Sequence, residues 1–125
     1  MHPSTADNVG KLILRIVLGI LILLHGIAKI QGGVGWIVDT VGFLGYAVYL
    51  GEVLAPVLLI IGWHARIGAA LVAINMLFAI GIAHTNEIFA LTSHGGWQIE
   101  LQGMYLFAAL ALVFTGPGKL GVNQR

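Results

Sequence analysis

His25 and Lys29 stand four residues apart in an apolar stretch, a spacing that sets an imidazole and an ammonium on one face of a helix. Glu52 interrupts a second apolar stretch, His84 and Glu87 close a third, and Gln98, Glu100 and Gln102 open a fourth. Imidazoles and carboxylates exchange protons near neutral pH and bond to the oxygens of small polar molecules, which makes these residues candidates for a ligand site. His25, Glu52 and His84 also carry nitrogen and oxygen donors suited to a divalent ion. That signal is weak, because no two histidines lie four apart. On an ideal helix Glu100 points about 200° away from Gln98, so the two cannot both face a bundle axis. Asn75 is nine residues before His84, half a turn out of phase, and reads as an interhelical hydrogen bond outside the cluster.

Something must hold these groups in place, and the composition says what. Of 125 residues 58% are hydrophobic and 9% charged, against about 25% charged in ordinary soluble domains. Five acids and six bases cannot cover the surface of a soluble domain, so lipid must be the solvent for most of it. The formal charge of +1 gives nucleic acid no electrostatic footprint, and the lack of cysteine excludes disulfides and thiol chemistry by the chain itself. A spanning helix needs about 20 mainly apolar residues. Four such stretches are expected, at 11–30, 45–63, 67–86 and 97–115, forming one all-α polytopic bundle over residues 1–125. No small-residue cleavage pattern ends the first, which is read as a retained helix. Residues 34–44 are Gly-rich and apolar, and fit an interfacial piece, a re-entrant piece or the start of helix two.

Basic residues orient the bundle. Lys11, Arg15, Arg66, Lys119 and Arg125 fall on one side of a four-span topology and Lys29 alone on the other, which predicts that both termini are cytoplasmic. Antiparallel threading then brings His25, Lys29, Glu52, His84, Glu87 and Glu100 to one depth near the outer face. Each has a plain reading as well. Lys29 can snorkel, Glu52 can form a structural ion pair with Lys29, His25 can be a hydrogen-bonded core histidine, and the residues near span ends can simply be solvated. Arg15, whose only acid on the inner side is Asp7, is expected to reach anionic lipid head groups. Gly51 and Ala55 form a small-residue pair for close helix packing or homo-oligomer contact, and Pro56 predicts a kink just past Glu52. Trp36, Trp63 and Trp97 stand at span ends as interfacial anchors, and 119–125 reads as a solvated basic tail.

Leu14-Arg15, Gly19 and His25-Gly26-x-x-Lys29-Ile30 occur in order in the first stretch. Gly51-Glu52, Gly62-x-x-x-Arg66, His84, Gly95-Gly96-Trp97 before Glu100, and Gly116-Pro117-Gly118-Lys119-Leu120 follow. In this pattern the chain resembles the DoxX family of small bacterial membrane proteins over nearly its whole length. It departs at Gly121-Val122-Asn123, where the family has a Ser-Leu-Asp-like stretch. The resemblance implies a four-helix bundle of the bacterial inner membrane and points to quinone-linked oxidation of thiosulfate or other reduced sulfur compounds. His25, Glu52, His84 and Glu100 match recurrent polar positions.

Three functions stay open from sequence. One is a membrane subunit of a redox complex with a quinone or small-molecule site, its electrons coming from a redox partner protein or directly from the substrate because no haem, flavin or iron–sulfur motif is present. The others are a non-catalytic anchor or assembly module, and a protein that binds or transports a metal or small anion.

Overall fold

Apolar residues run almost unbroken from Leu12 to Leu24, and with no proline after Pro3 they continue as one helix, α1 (Pro3–Gly32). The computed structural model describes residues 3–125, all-α, with four further α-helices among them: α2 (Gly35–Val41), α3 (Ala55–Ile61), α4 (Ala65–Ala83) and α5 (Glu100–Thr115). α1 thus starts two turns earlier than the expected span, and α5 starts three residues later. Ser4–Gly32 and Ala65–Ala83 are each long and apolar enough to cross a membrane. A third candidate span is broken, Gly35–Ala47 followed by Leu50–Ile61 at a bend of 55°. α5 is apolar but 16 residues long, short of the usual spanning length.

The stretch expected as one helix over 45–63 is built from three kinds of turn. A 3₁₀ segment, Gly42–Ala47, leads to a π-helix, Leu50–Leu54, and then to α3. Pro56 accounts for the irregularity: it has no N–H to give the carbonyl four residues back, which belongs to Glu52. The preceding turn widens, with the Ala55 N–H bonded to the Leu50 carbonyl five residues earlier. α2 is a separate helix in front of this bend. It is seated by a small cluster of Val34, Ile37 and Val48 packed against Phe78 and Ile82 of α4.

Glycines set the helix spacing. Gly19 and Gly26 are two turns apart on one face of α1, where a Cβ would run into Ile60 and into the backbone of Glu52 respectively. A Cβ on Gly51 would collide with Asn75, so this glycine brings α4 against the π-turn. The main core, including Leu18, Ile22, Leu59, Val72, Ala109 and Leu112, lies between α1, α3, α4 and α5. Large apolar side chains face outward, among them Ile13 59%, Ile74 62%, Phe107 61% and Phe114 80% exposed, as a lipid-facing surface requires and a water-facing one does not.

The basic tail, expected to be solvated, is largely exposed, and its backbone is also stitched to the bundle. Val122 and Asn123 donate to the Ile61 and Gly62 carbonyls at 3.2 and 3.1 Å, and the Lys119 N–H donates to Asn8 Oδ1 at 3.0 Å. Gly116 and Gly118, both at positive φ, turn the chain back after α5.

Candidate functional site: a polar cavity at one end of the bundle

The π-turn aims the Glu52 carboxylate into the bundle, where the residue is 4% exposed. Lys29 Nζ donates to Glu52 Oε1 at 2.5 Å, and Asn75 Nδ2 of α4 donates to Oε2 at 2.9 Å. The ion pair between Lys29 and Glu52 is therefore present. Each carboxylate oxygen has a donor, the condition under which a buried charge is tolerated. Tyr49 donates its hydroxyl to the Lys29 carbonyl at 3.1 Å and fixes that end of α1 to the segment before the π-turn.

A second polar group faces it across the cavity. His84, just past α4, lies with Nδ1 2.9 Å from Glu87 Oε2 and Nε2 3.3 Å from Gln102 Nε2 of α5. A carboxylate accepts and an amide N–H donates, so this arrangement is satisfied by a His84 protonated at Nδ1 and accepting at Nε2. Glu87 orients His84 from outside the cavity lining.

Between the two groups is a cavity of about 180 Å³, lined on its polar side by His25, Lys29, Glu52, His84, Gln102 and Tyr105. Trp36 and Ile37 of α2 cover it, and Met76, Phe78 and Ile82 of α4 supply apolar wall. This volume is below the roughly 300–1,000 Å³ of sites for drug-sized ligands and suits a single ring with small substituents. Tyr105 is 8% exposed, and its hydroxyl makes no hydrogen bond among the described residues. Among the described residues no fully enclosed side-chain N or O lacks a partner, so this hydroxyl keeps some accessible surface, and Tyr105 lines the cavity. His25 is exposed and also without a hydrogen bond among the described residues; its ring stands edge-on to Tyr105, with centroids 6.0 Å apart at 77°. The site thus has two braced walls and two polar groups left open to a ligand.

Four expected site residues, His25, Lys29, Glu52 and His84, line one cavity. Glu100 does not belong with them. It is exposed, close to Gly96, and opens α5 on the side turned away from Gln102 and Tyr105. The physical reason is phase: two residues before Gln102 is about 200° around the helix. Asn75 does belong, because its partner is Glu52 and not His84. Tyr105 went unnoticed although it follows Gln102 by three residues, the spacing that shares a face. Trp97 donates to the Ile88 carbonyl at 2.6 Å and lies against Gly103, bracing the start of α5. Among the described residues no three His, Asp or Glu side chains are grouped to hold a metal ion, so His25, Glu52 and His84 do not form a ligand set.

Arg15 corrects the lipid-contact expectation. It is 1% exposed and donates to the carbonyls of Leu59 (3.1 Å), Pro117 (2.8 Å) and Leu120 (2.7 Å). Leu59 lies in the last turn of α3, where carbonyls lack helical partners and the helix dipole favours a cation. Gly62 and Gly121 pack against the guanidinium with no room for a Cβ. Arg15 is a clamp between α1, α3 and the tail, invisible from sequence because its acceptors are backbone.

Fold and site together describe a membrane protein with two or three candidate spans around a small polar cavity. The chain belongs to the DoxX family, whose model matches residues 10–85, from two turns into α1 to just past the end of α4. It is 32% identical over 116 residues to the "Putative oxidoreductase CatD" of Bacillus subtilis, covering 93% of this chain and 86% of that one. It is also 28% identical over 122 residues to an "Uncharacterized protein" of Haemophilus influenzae, covering 90% and 87%. No solved structure matches the chain.

Proposed function

We propose that this protein is a multi-pass subunit of the bacterial inner membrane that binds a quinone head group, or a small molecule of similar shape, in the cavity beneath α2, and serves a redox complex with a partner protein. The observation that carries this is Tyr105, a residue nine-tenths buried whose hydroxyl has no hydrogen bond among the described residues and which lines a cavity of one-ring size beside His25. A quinone has two carbonyl oxygens that accept hydrogen bonds, and bound there it would supply a two-electron acceptor. Tyr105 donates to one such oxygen, and His25 can donate or take up a proton beside it. Lys29, Glu52 and Asn75 hold one wall at fixed charge, while Gln102 and Glu87 hold His84 in orientation. The oxidoreductase name of the Bacillus subtilis relative agrees with this reading.

Four crossings with both termini cytoplasmic fit the distribution of charge. Lys119 and Asn8 meet through a backbone hydrogen bond, and the Arg66 N–H reaches the Arg125 carbonyl at 3.3 Å, so the basic residues other than Lys29 gather at one end. The cavity then lies near the outer face. Native mass spectrometry of the protein released from bacterial membranes in mild detergent tests the function. A bound quinone that disappears in His25→Ala and Tyr105→Phe supports it; a quinone retained in both variants, or none in the wild type, argues against it. An assembly module without redox chemistry is the second reading, favoured by the complete pairing of Glu52. It is supported if a partner co-purifies with wild type and with both variants equally.

A further inference from the structure

The bundle carries open apolar grooves on its outer side, and one of them adjoins the cavity across a shared wall. It lies between residues 44–51 and α4, has a volume of about 290 Å³, and is walled by Leu44, Ala47, Leu71 and Ile74. Val48 and Phe78 line both this groove and the cavity. Asn75 lines the groove while its amide bonds to Glu52, which lines the cavity. A second groove, formed by Ile30, Tyr49, Leu54 and Val57 among others, shares no residue with the cavity.

We propose that the groove beside α4 holds the hydrocarbon tail of an amphiphilic ligand whose ring occupies the cavity, with Val48 and Phe78 as the threshold. The inference rests on the ring-binding reading of the cavity and extends it to the ligand's class: a ring joined to an alkyl or isoprenoid chain, entering sideways from the bilayer. The arrangement matches the solvents on each side. A tail in this groove stays among apolar side chains and lipid, and the head leaves hydrocarbon only where Tyr105, His25 and the paired walls await it. The small volume of the cavity agrees, since it has room for a ring and not for its chain. Phe78 is half-buried and Val48 buried, so passage requires the phenyl ring to swing while the valine stays packed against Val34 and Ile37.

A benzoquinone with a diazirine on its alkyl tail, photolysed with the full-length protein in lipid nanodiscs and mapped by peptide mass spectrometry, tests the groove. The same quinone lacking a tail is titrated in parallel as a probe of the ring site. Label on Leu44, Leu71 or Ile74, displaced by excess unlabelled tailed quinone, is the expected result. Ile74→Trp, at a side chain 62% exposed and outside the cavity lining, should cut that label about tenfold and leave tailless binding unchanged. Val57→Trp, in the unconnected groove, should change neither. Displaceable label on Ile30, Leu54 or Leu101 with tailless binding intact would overturn the groove while keeping the ring site. Failure of both quinones to bind would overturn both.

Discussion

Two polar regions at opposite ends of this bundle differ in how their hydrogen-bonding capacity is used. At one end Arg15 is buried beyond the reach of lipid head groups and is spent on three carbonyls, with glycines packed flush against it. At the other, the Lys29–Glu52–Asn75 and Glu87–His84–Gln102 groups are spent on one another, yet they frame a cavity where the nearly buried Tyr105 and the exposed His25 have no hydrogen bond among the described residues. Cost explains the contrast. A buried polar group in an apolar medium is expensive unless paired, so complete pairing is expected of architecture. A nearly buried hydroxyl left open to a cavity makes sense when a ligand completes it. Charge alone therefore does not mark function in a membrane bundle; unspent capacity is the better marker.

Substitutions at the two ends should separate them. Arg15→Ala leaves the Leu59, Pro117 and Leu120 carbonyls without their donor, and a loss of about 4 kcal/mol is expected in unfolding titrations with SDS in mixed micelles. Arg15→Lys should recover only part of that, because an ammonium lacks the planar fork that reaches several acceptors at once. Lys29→Met strands the Glu52 carboxylate and should cost about 3 kcal/mol, whereas Lys29→Met with Glu52→Gln should cost less than the two single changes added together. Additive losses in that cycle would mean the pair is not coupled. Gly26→Ala drives a methyl into the Glu52 backbone and should cost about 2 kcal/mol, with weakened ligand binding because the π-turn must shift. Tyr105→Phe is expected to leave stability within about 0.5 kcal/mol, since no internal bond is lost, and to act on binding alone. If Tyr105→Phe unfolds the protein as readily as Arg15→Ala, the distinction between the two ends fails.

Composition and hydropathy made the all-α class and the polar layer legible, because a chain with 9% charged residues must hide its few polar groups among helices. Pro56 marked where helix two would break, but a kink and a π-turn look alike in sequence; only the loss of the bond to the Glu52 carbonyl distinguishes the site's geometry. Arg15 is not legible in sequence because backbone carbonyls have no side-chain signature, and a cation with no nearby acid looks like one reaching for lipid. Asn75 was set aside by comparing its phase with His84, which would have been sound had the two shared a partner. Glu100 was grouped by depth when its helical phase pointed outward, and Gln102 and Tyr105 took the inward face.

The polar cavity as a ligand site is the central claim, and Trp36 on its edge provides the signal for it. Quenching of Trp36 fluorescence by a short-chain quinone, titrated into detergent-solubilised wild type and Tyr105→Phe with Trp63 and Trp97 replaced by Phe in both, measures it directly. Saturable quenching at one site in the wild-type background, weakened about tenfold in Tyr105→Phe at unchanged melting temperature, is the expected result. Identical saturable quenching in the two proteins would contradict it, as would quenching that never saturates.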